Sequence, residues 1–294
     1  MSDLARAVGE ALGSRVTALE PVAGGDVNEG HRATLADGTE VFVKSHADPP
    51  PGFYASEARG LAWLAEARAV GVPEVLAVRE GGDGPAFLAL AWVETRGRGG
   101  DFDDQLGTGL AALHAAGARE LGADADGYIA SLPQPNGALP SWPAFYWRRR
   151  LEPLARRAVD EGRLPAEAID AFGRLADRLG DLCGPPEPPA RLHGDLWAGN
   201  VLAGPEGEPW LVDPAAHGGH REVDLAMMRL FGGFGPRCFA AYEEAAPLAA
   251  GHEERVGLYQ LHPLLVHALL FGGHYGSSVM ERLSGYVPVH RRTH

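Results

Sequence analysis

One short segment constrains this chain more than any other. The octet HGDLWAGN occupies residues 193–200, and LVDP follows at residues 211–214. Residues 200–203 and 209–212 favour two short strands around the turn sequence GPEG, and Asp213 ends the second strand. A stiff proline-rich connector precedes this island of strand character, which interrupts a part of the chain that otherwise favours helices.

Three polar residues of this island meet the requirements of phosphoryl transfer. That reaction needs a carboxylate to orient the acceptor hydroxyl and take its proton, and oxygen ligands to hold magnesium on the phosphates. Asp195 and Asn200 have the Asp-x-x-x-x-Asn spacing of a kinase catalytic loop, with Gly194 where protein kinases have arginine. Asp195 is therefore the predicted catalytic carboxylate, and Asn200 and Asp213 are the predicted Mg²⁺ ligands. The ordered spacing disfavours the alternative, a surface loop with ordinary turn residues.

Lys44 is the second candidate. It lies in a predicted strand at residues 40–45, among apolar neighbours, where an unpaired ammonium would be costly to bury. Glu57, in a predicted helix at residues 53–69, is the expected counter-charge. In kinases, a strand lysine paired with a helix glutamate positions the α- and β-phosphates of ATP. The alternative is a solvated edge-strand lysine with an exposed glutamate, and the Asp195 segment downstream makes it less favoured.

A glycine-containing loop precedes Lys44. The sequence GGDVNEG at residues 24–30 lies between two predicted strands and could lay backbone N–H groups over phosphates. Gly24, Gly25 and Asn28 are the candidate contacts. The loop is not G-x-G-x-x-G, and Gly-Gly turns are common, so its position before Lys44 is what supports the assignment.

The candidate adenine site lies where the last predicted strand of the first part ends. Ala91, Trp92 and Val93 stand at that point, where backbone groups would meet the base. A strand end that only packs is the alternative reading. The polar, glycine-rich segment TRGRGG at residues 95–100 follows and predicts a hinge or linker.

Local patterns divide the chain into two parts. Residues 1–94 predict a small ATP-binding lobe, a mainly antiparallel sheet with one inserted helix, and residues 95–294 predict a larger, mainly helical lobe. The predicted fold class is therefore α+β, with the two-lobed layout of protein kinases. The predicted strands are 16–22, 31–35, 40–45, 75–79 and 85–93, and the predicted helices are 3–13, 53–69, 103–116, 142–160, 166–181, 221–231, 236–248 and 253–271.

Composition excludes several classes of function. The formal net charge is −13, whereas nucleic-acid binding needs a positive surface, so no nucleic-acid partner is expected. Only Cys183 and Cys238 are present, so no disulfide framework or cysteine zinc cluster can form. The N-terminus lacks an apolar signal core, and the longest apolar run, residues 264–271, falls short of the ~20 residues that a membrane span needs. A cytoplasmic enzyme without a membrane partner is expected, and no feature predicts an oligomeric state.

The chain resembles the fructosamine kinase (ketosamine-3-kinase) family over nearly its whole length. The octet resembles the family signature HGDLWxGN. The tryptophan of this signature, Trp197 here, separates it from the corresponding segment of generic aminoglycoside kinases. In the small lobe the resemblance includes Asn28, Lys44, Phe53 and Glu57. The other similar stretches are QPN at 134–136, WPAFY at 142–146, RL at 150–151, DPA at 213–215, GGHREVDLAM at 218–227 and FGGF at 231–234.

The resemblance implies a specific reaction. Family members phosphorylate the 3-hydroxyl of ketosamines, the Amadori products of sugars with amines or protein lysines, and the unstable 3-phosphate then frees the amine. It implies ATP and Mg²⁺ as cofactors, a small-molecule or protein-bound ketosamine as substrate, and a role in deglycation. On the kinase template, Asp224 is expected to brace the catalytic loop. Two other hypotheses stay open: an aminoglycoside- or choline-type kinase on the same scaffold, and a non-catalytic nucleotide-binding protein.

Overall fold

The computed structural model describes residues 2–22, 28–82 and 84–289. One antiparallel sheet of five strands forms the centre of the small lobe. Its strands are β1 (Val16–Val22), β2 (Glu29–Leu35), β3 (Glu40–His46), β4 (Val75–Arg79) and β5 (Ala86–Ala91). Their spatial order is β1-β2-β3-β5-β4, so β3 and β5 are neighbours near the middle of the sheet.

Two helices cover opposite faces of this sheet. Helix α1 (Asp3–Leu12) contributes Val8 to an apolar cluster on one face. Helix α2 (Phe53–Glu66), inserted between β3 and β4, contributes Tyr54 and Leu61 to a second cluster on the other face.

Alternation along β3 decides which way its lysine points. Val41 and Val43 are fully buried in the cluster that contains α1. Successive side chains of a strand point to opposite faces, so Phe42 and Lys44 share the face that carries α2. The sequence therefore directs Lys44 away from the outer core of the small lobe and towards the large lobe.

The large lobe is mainly helical. Its helices are α3 (Phe102–Ala115), α4 (Trp142–Phe145), a π-helical segment (Tyr146–Leu151), α5 (Glu152–Asp160), α6 (Glu167–Ala176), α7 (Leu179–Leu182), α8 (Glu222–Phe231), α9 (Pro236–Ala245), α10 (His252–Phe271) and α11 (Tyr275–Ser284). None of the helices within the described ranges is long and apolar enough to cross a membrane.

Three antiparallel pairs of three-residue strands lie among these helices. They are β6 (Gly127–Ile129) with β7 (Leu132–Gln134), β8 (Ala190–Leu192) with β11 (His217–Gly219), and β9 (Val201–Ala203) with β10 (Pro209–Leu211). The pair β9–β10 is the hairpin that the sequence predicts around GPEG. The other two pairs are not among the predicted strands.

The predicted linker lies against this hairpin. The backbone N–H of Arg96 donates to the carbonyl oxygen of Ala203 at 3.0 Å, and that of Gly99 donates to Gly207 at 3.0 Å. The Arg98 guanidinium also donates to the carbonyl oxygen of Gly233 at 3.0 Å. The chain that joins the sheet to the helices is thus tied to the segment that carries Asn200.

The predicted α+β, two-lobed fold class is confirmed, while the lobe boundary at residues 94 and 95 stays a prediction. The predicted helix 142–160 is interrupted by the π-helical segment, and the predicted helix 166–181 is two helices, α6 and α7. Helix α2 ends at Glu66 instead of residue 69, and β5 ends at Ala91 instead of residue 93. Helix α11 is absent from the prediction.

Candidate active site

The octet at residues 193–200 runs from the end of β8 to the start of β9. Leu196, in its middle, is fully buried in the cluster that also holds Val201 and Leu211 of the hairpin. Burying a leucine side chain contributes about 1.5–3 kcal/mol, so Leu196 anchors the loop while the residue before it, Asp195, is only half-buried.

Gly194 lets this loop pass close to the segment after β10. Its φ is 85°, in the left-handed region that favours glycine. A Cβ at this position would collide with the carbonyl oxygen of Ala215. The backbone N–H of Ala215 donates to the carbonyl oxygen of His193 at 3.0 Å, which joins the two segments.

Asp224, near the start of α8, holds the beginning of the octet. Its carboxylate accepts hydrogen bonds from the backbone N–H of His193 at 2.8 Å and of Gly194 at 2.9 Å. The His114 ring lies 3.2 Å from the same carboxylate and 2.8 Å from the hydroxyl of Tyr242. Burial opposes ionisation of Asp224, but the His114 bond, the electrostatic influence of the His114 and His193 rings and the Gly194 N–H outweigh it and lower its pKa. Asp224 therefore braces the loop, as the sequence leads us to expect.

Asn200 meets Asp195 across the turn of the loop. Its amide nitrogen Nδ2 donates to the backbone carbonyl oxygen of Asp195 at 2.8 Å and lies 3.2 Å from Oδ2 of the Asp195 carboxylate. Burial raises the pKa of Asp195 to about 7, helped by the negative charges of Asp213 and Asp224 and opposed by the Asn200 bond. The amide oxygen of Asn200 takes no part in these bonds.

Asp213 adopts a left-handed backbone conformation, with φ 56°, which aspartate tolerates better than most residues. The preceding residue, Val212, is held on both sides. Its N–H donates to the carbonyl oxygen of Asn200 at 3.0 Å, and its carbonyl oxygen lies 2.9 Å from Nε2 of His193. The Asp213 carboxylate is thereby presented at the cleft, 42% exposed.

Lys44 joins the small lobe to this carboxylate. Its ammonium lies 2.6 Å from Oε1 of Glu57 and also contacts the carboxylate of Asp213. The side chain of Lys44 is buried, and that of Glu57 is 12% exposed. Burial alone would lower the pKa of Lys44, but the charges of Asp213 and Glu57 raise it above its ordinary value, so the ammonium stays charged. The sequence-predicted lysine–glutamate pair is present.

Helix α2 carries Glu57 and is fixed at its N-terminus by a carboxylate that sequence reasoning misses. Glu80, beyond β4, accepts hydrogen bonds from the backbone N–H of Gly52 at 2.9 Å and of Ala55 at 2.6 Å. A carboxylate at this end satisfies free N–H groups and complements the helix dipole. No local pattern links Glu80 to a helix that begins 27 residues earlier, so the sequence offers no signal for this contact.

The remaining nucleotide candidates are placed in part. Gly24 and Gly25 lie outside the described residues. Asn28 is described, and its Oδ1 accepts a hydrogen bond from the hydroxyl of Tyr54 at 3.2 Å, which ties the end of the loop to α2.

The adenine candidates stand where β5 leaves the sheet. Ala91, Trp92 and Val93 are all half-buried. The N–H of Ala91 donates to the carbonyl oxygen of Glu74 at 2.8 Å and is therefore occupied within the sheet. The Trp92 indole N–H donates to the carboxylate of Glu94 at 3.2 Å.

The donor set suits magnesium. Among the described residues no group of three or more His, Cys, Asp and Glu side chains could hold a metal ion. Mg²⁺ at phosphoryl-transfer sites needs only one or two protein oxygens, because phosphates and water supply the rest. The Asn200 amide oxygen and the Asp213 carboxylate are hard oxygen donors of this kind.

The arrangement as a whole fits phosphoryl transfer. A cation from the sheet, two oxygen donors that flank the β9–β10 hairpin and a half-buried carboxylate from the loop lie close together. Positioning and charge stabilisation are what this chemistry asks of a protein.

Comparisons with known proteins agree with this chemistry. A family model described as "Fructosamine kinase" matches residues 1–287. The chain is 37% identical over 267 residues to a probable ketoamine kinase of Enterococcus faecium, covering 90% of this chain and 94% of that protein. It is 32% identical over 284 residues to the chloroplastic protein-ribulosamine 3-kinase of Arabidopsis thaliana, covering 95% and 85% respectively.

Solved structures of kinases are also similar to this chain. A candidate fructosamine-3-kinase from Thermobifida fusca superposes with a TM-score of 0.88 at 41% identity, over 97% of this chain and 99% of that one. A thermostable mutant of an aminoglycoside phosphotransferase in complex with ADP and hygromycin B superposes with a TM-score of 0.60 at 16% identity, over 97% and 99%. The second likeness concerns the fold alone.

Proposed function

Because the chain belongs to the fructosamine kinase family, we propose that it transfers the γ-phosphate of ATP to the 3-hydroxyl of a ketosamine. The observation that carries the proposal is the meeting of Lys44, Asp213 and Asp195 in one cleft. Lys44 and Asp213 are 169 residues apart in the chain and touch through their side chains. Only the folded chain assembles this set.

Asp195 is the catalytic residue of the proposal. Its carboxylate accepts the proton of the substrate hydroxyl as the oxygen attacks phosphorus. Asn200 holds it in place through the 2.8 Å bond to its backbone and the 3.2 Å contact to its carboxylate. Asp224 fixes the start of the same loop. The proposed base, Asp195, therefore lies on a loop that hydrogen bonds hold in place.

Asn200 and Asp213 hold Mg²⁺, and Lys44 pairs with the phosphates while Glu57 orients it. Mg²⁺, when bound with ATP, neutralises charge on the phosphates. Lys44 contacts Asp213, one of the proposed metal ligands, in this structure. Its ammonium is therefore also close to the proposed position of the phosphates. In this proposal Asn28, Gly24 and Gly25 are assigned to the phosphates, and Ala91, Trp92 and Val93 are assigned to adenine.

The proposed product explains a biological role in deglycation. A ketosamine 3-phosphate decomposes and frees the amine, so the activity removes sugars from amines or from protein lysines. We place this reaction in the cytoplasm. The chemistry requires no further cofactor beyond ATP and Mg²⁺.

A coupled ADP-release assay tests the proposal. Ribulosamine, fructosamine and erythrulosamine adducts of lysine are offered to the wild-type protein and to the Asp195→Ala variant, with kanamycin and choline as other acceptors. We expect turnover of at least one ketosamine that Asp195→Ala abolishes. Turnover of kanamycin or choline without any ketosamine would overturn the acceptor assignment. Binding of Mg–ATP, seen as thermal stabilisation, without transfer to any acceptor would favour a non-catalytic protein.

A further inference from the structure

A cationic side chain stands on the cleft face of the sheet without a role in the site described so far. In the register of β2 with β3, Arg32 is paired with Phe42 and Gly30 is paired with Lys44. Directly opposite residues of an antiparallel pair lie on the same face. Arg32 therefore shares the face of Lys44, one strand away.

Arg32 lies at the linker end of that face. Phe42 precedes Lys44 by two residues, or about 7 Å along the strand, and Arg32 is level with Phe42. In β5, Leu90 is paired with Phe42, and Trp92 follows two residues later. If Lys44 marks the phosphates, Arg32 stands on the side of the nucleoside.

The guanidinium of Arg32 is held between an aromatic ring and a carboxylate. The guanidinium carbon lies 4.9 Å from the centroid of the Trp92 ring, and the group is paired with the carboxylate of Glu40. The rings of Phe42 and Trp92 are 6.4 Å apart. Nε of Arg32 is buried and has no hydrogen-bond partner among the residues that the structure describes. The side chain as a whole is 37% exposed, so part of it is accessible to solvent.

We propose that Arg32 binds the nucleoside part of ATP, with one face of its guanidinium on Trp92 and the other on the purine base. This inference rests on the proposed kinase function. A guanidinium is planar and weakly hydrated, and it stacks on aromatic faces, which an ammonium does less well. Glu40 orients the group and balances its charge, so Arg32 recognises the base and not the phosphates.

Titration calorimetry with two ligands tests the assignment without an acceptor substrate. Mg–ATP carries the nucleoside, and Mg–tripolyphosphate carries only the phosphates. Arg32→Met keeps the length of the stem, and Arg32→Lys keeps the charge but loses the plane. Arg6→Met is the matched control, because Arg6 also pairs with carboxylates, Asp3 and Glu10, but on the exposed surface of α1.

We expect Arg32→Met and Arg32→Lys to weaken Mg–ATP binding about 3- to 10-fold, a range set by one stacking contact of a cation. Tripolyphosphate binding should change less than about 2-fold, and Arg6→Met should change neither. An unchanged affinity for Mg–ATP would overturn the inference. An equal loss for both ligands would also overturn it, because Arg32 would then act on the phosphates. If the melting temperature shows that Arg32→Met is unfolded, the affinities of Arg32→Lys for the two ligands provide the test.

The two proposals fail in different ways. If the wild-type protein binds Mg–ATP but turns over no ketosamine, the acceptor assignment is contradicted, and the proposed role of Arg32 is unaffected. Wild-type protein that is active while both Arg32 variants bind Mg–ATP normally contradicts only the role of Arg32.

Discussion

The side-chain amide of Asn200 donates to the backbone carbonyl oxygen of Asp195 at 2.8 Å. The same nitrogen lies 3.2 Å from the Asp195 carboxylate. One residue thus fixes the proposed base through its nitrogen, while its oxygen is the proposed ligand of magnesium. These two tasks can be separated by substitution.

Asn200→Ala removes both the donor and the oxygen ligand, whereas Asn200→Asp keeps an oxygen ligand and removes the donor. We expect Asn200→Ala to lower kcat about 10- to 100-fold or more and to raise the Mg²⁺ concentration needed for half-maximal rate. Asn200→Asp should restore the Mg²⁺ requirement without restoring kcat, because a second carboxylate then faces Asp195. Steady-state rates over a Mg²⁺ titration measure both. Equal kcat in all three proteins would contradict the role of Asn200.

The Lys44 ammonium touches both Glu57 and Asp213, so Glu57 controls how strongly Lys44 holds the proposed metal ligand. In Glu57→Gln, Asp213 becomes the remaining carboxylate partner of Lys44, so the Lys44 ammonium competes more strongly with Mg²⁺ for the Asp213 carboxylate. We expect the half-saturating Mg²⁺ concentration to rise about 10-fold or more, since a hydrogen bond to a charged group contributes about 1.5–3 kcal/mol. Glu66→Gln, an exposed change on the same helix, is the control. A similar response in both variants would argue against this competition.

Gly194 and Gly38 have nearly the same backbone conformation, φ 85° and 88°, but different surroundings. A Cβ at Gly38 would meet no atom within 4 Å, whereas one at Gly194 would collide with the carbonyl oxygen of Ala215. Gly38→Ala should cost about 1–2 kcal/mol of unfolding free energy and keep normal kcat. Gly194→Ala should cost more and lower kcat by at least 10-fold, because Asp195 must shift. Urea unfolding and kcat together check this, and comparable activity of the two variants would refute it.

His217 makes the folded chain sensitive to acid. It is buried, its Nδ1 lies 2.9 Å from the carbonyl oxygen of Ala215, and burial together with the nearby Arg150 charge lowers its pKa to about 3. The unfolded chain binds this proton below about pH 6.5 and the folded chain does not. The contribution of the neutral, buried His217 to the unfolding free energy is therefore complete above about pH 6.5 and is lost as the pH falls towards 3.

Replacing this histidine isolates its share of the acid sensitivity. His217→Asn keeps an N–H donor but cannot titrate in this window. Its unfolding free energy should fall less steeply between pH 6 and pH 4, by up to about 1.4 kcal/mol per pH unit. Urea unfolding across that range measures the slope. Parallel slopes for the wild type and His217→Asn would show that His217 does not carry the effect.

Local patterns predict those parts of the fold that local interactions determine. The alternation of Val41 and Val43 with Phe42 and Lys44 gives β3 its two faces, and both are found. The Asp-Gly turn before β3 is also present, with the Asp37 carboxylate accepting a hydrogen bond from the backbone N–H of Thr39 at 2.9 Å. A charged residue in an apolar strand requires a partner, which makes the Lys44–Glu57 pair foreseeable.

Local sequence patterns do not predict elements that depend on contacts between residues far apart in the chain. Strand β11 reads His-Gly-Gly, too short for any periodicity, and it forms because Gly218 can lie against the carbonyl oxygen of Glu120, where a Cβ would collide. The π-helical segment 146–151 inserts an irregular turn that a 3.6-residue period cannot reveal. The Glu80 cap on α2 and the Arg32–Trp92 contact likewise join residues with no shared local pattern.

The position of the phosphate on the product tests the central claim most directly. Wild-type protein and Asp195→Asn are incubated with Mg–ATP and a ribulosamine adduct of lysine, and proton–phosphorus NMR correlation identifies the carbon that carries the ester. We predict a single ester on C3 with the wild type, formed about 10²- to 10⁴-fold more slowly by Asp195→Asn. An ester on another carbon, or an Asp195→Asn variant as fast as the wild type, would contradict the account.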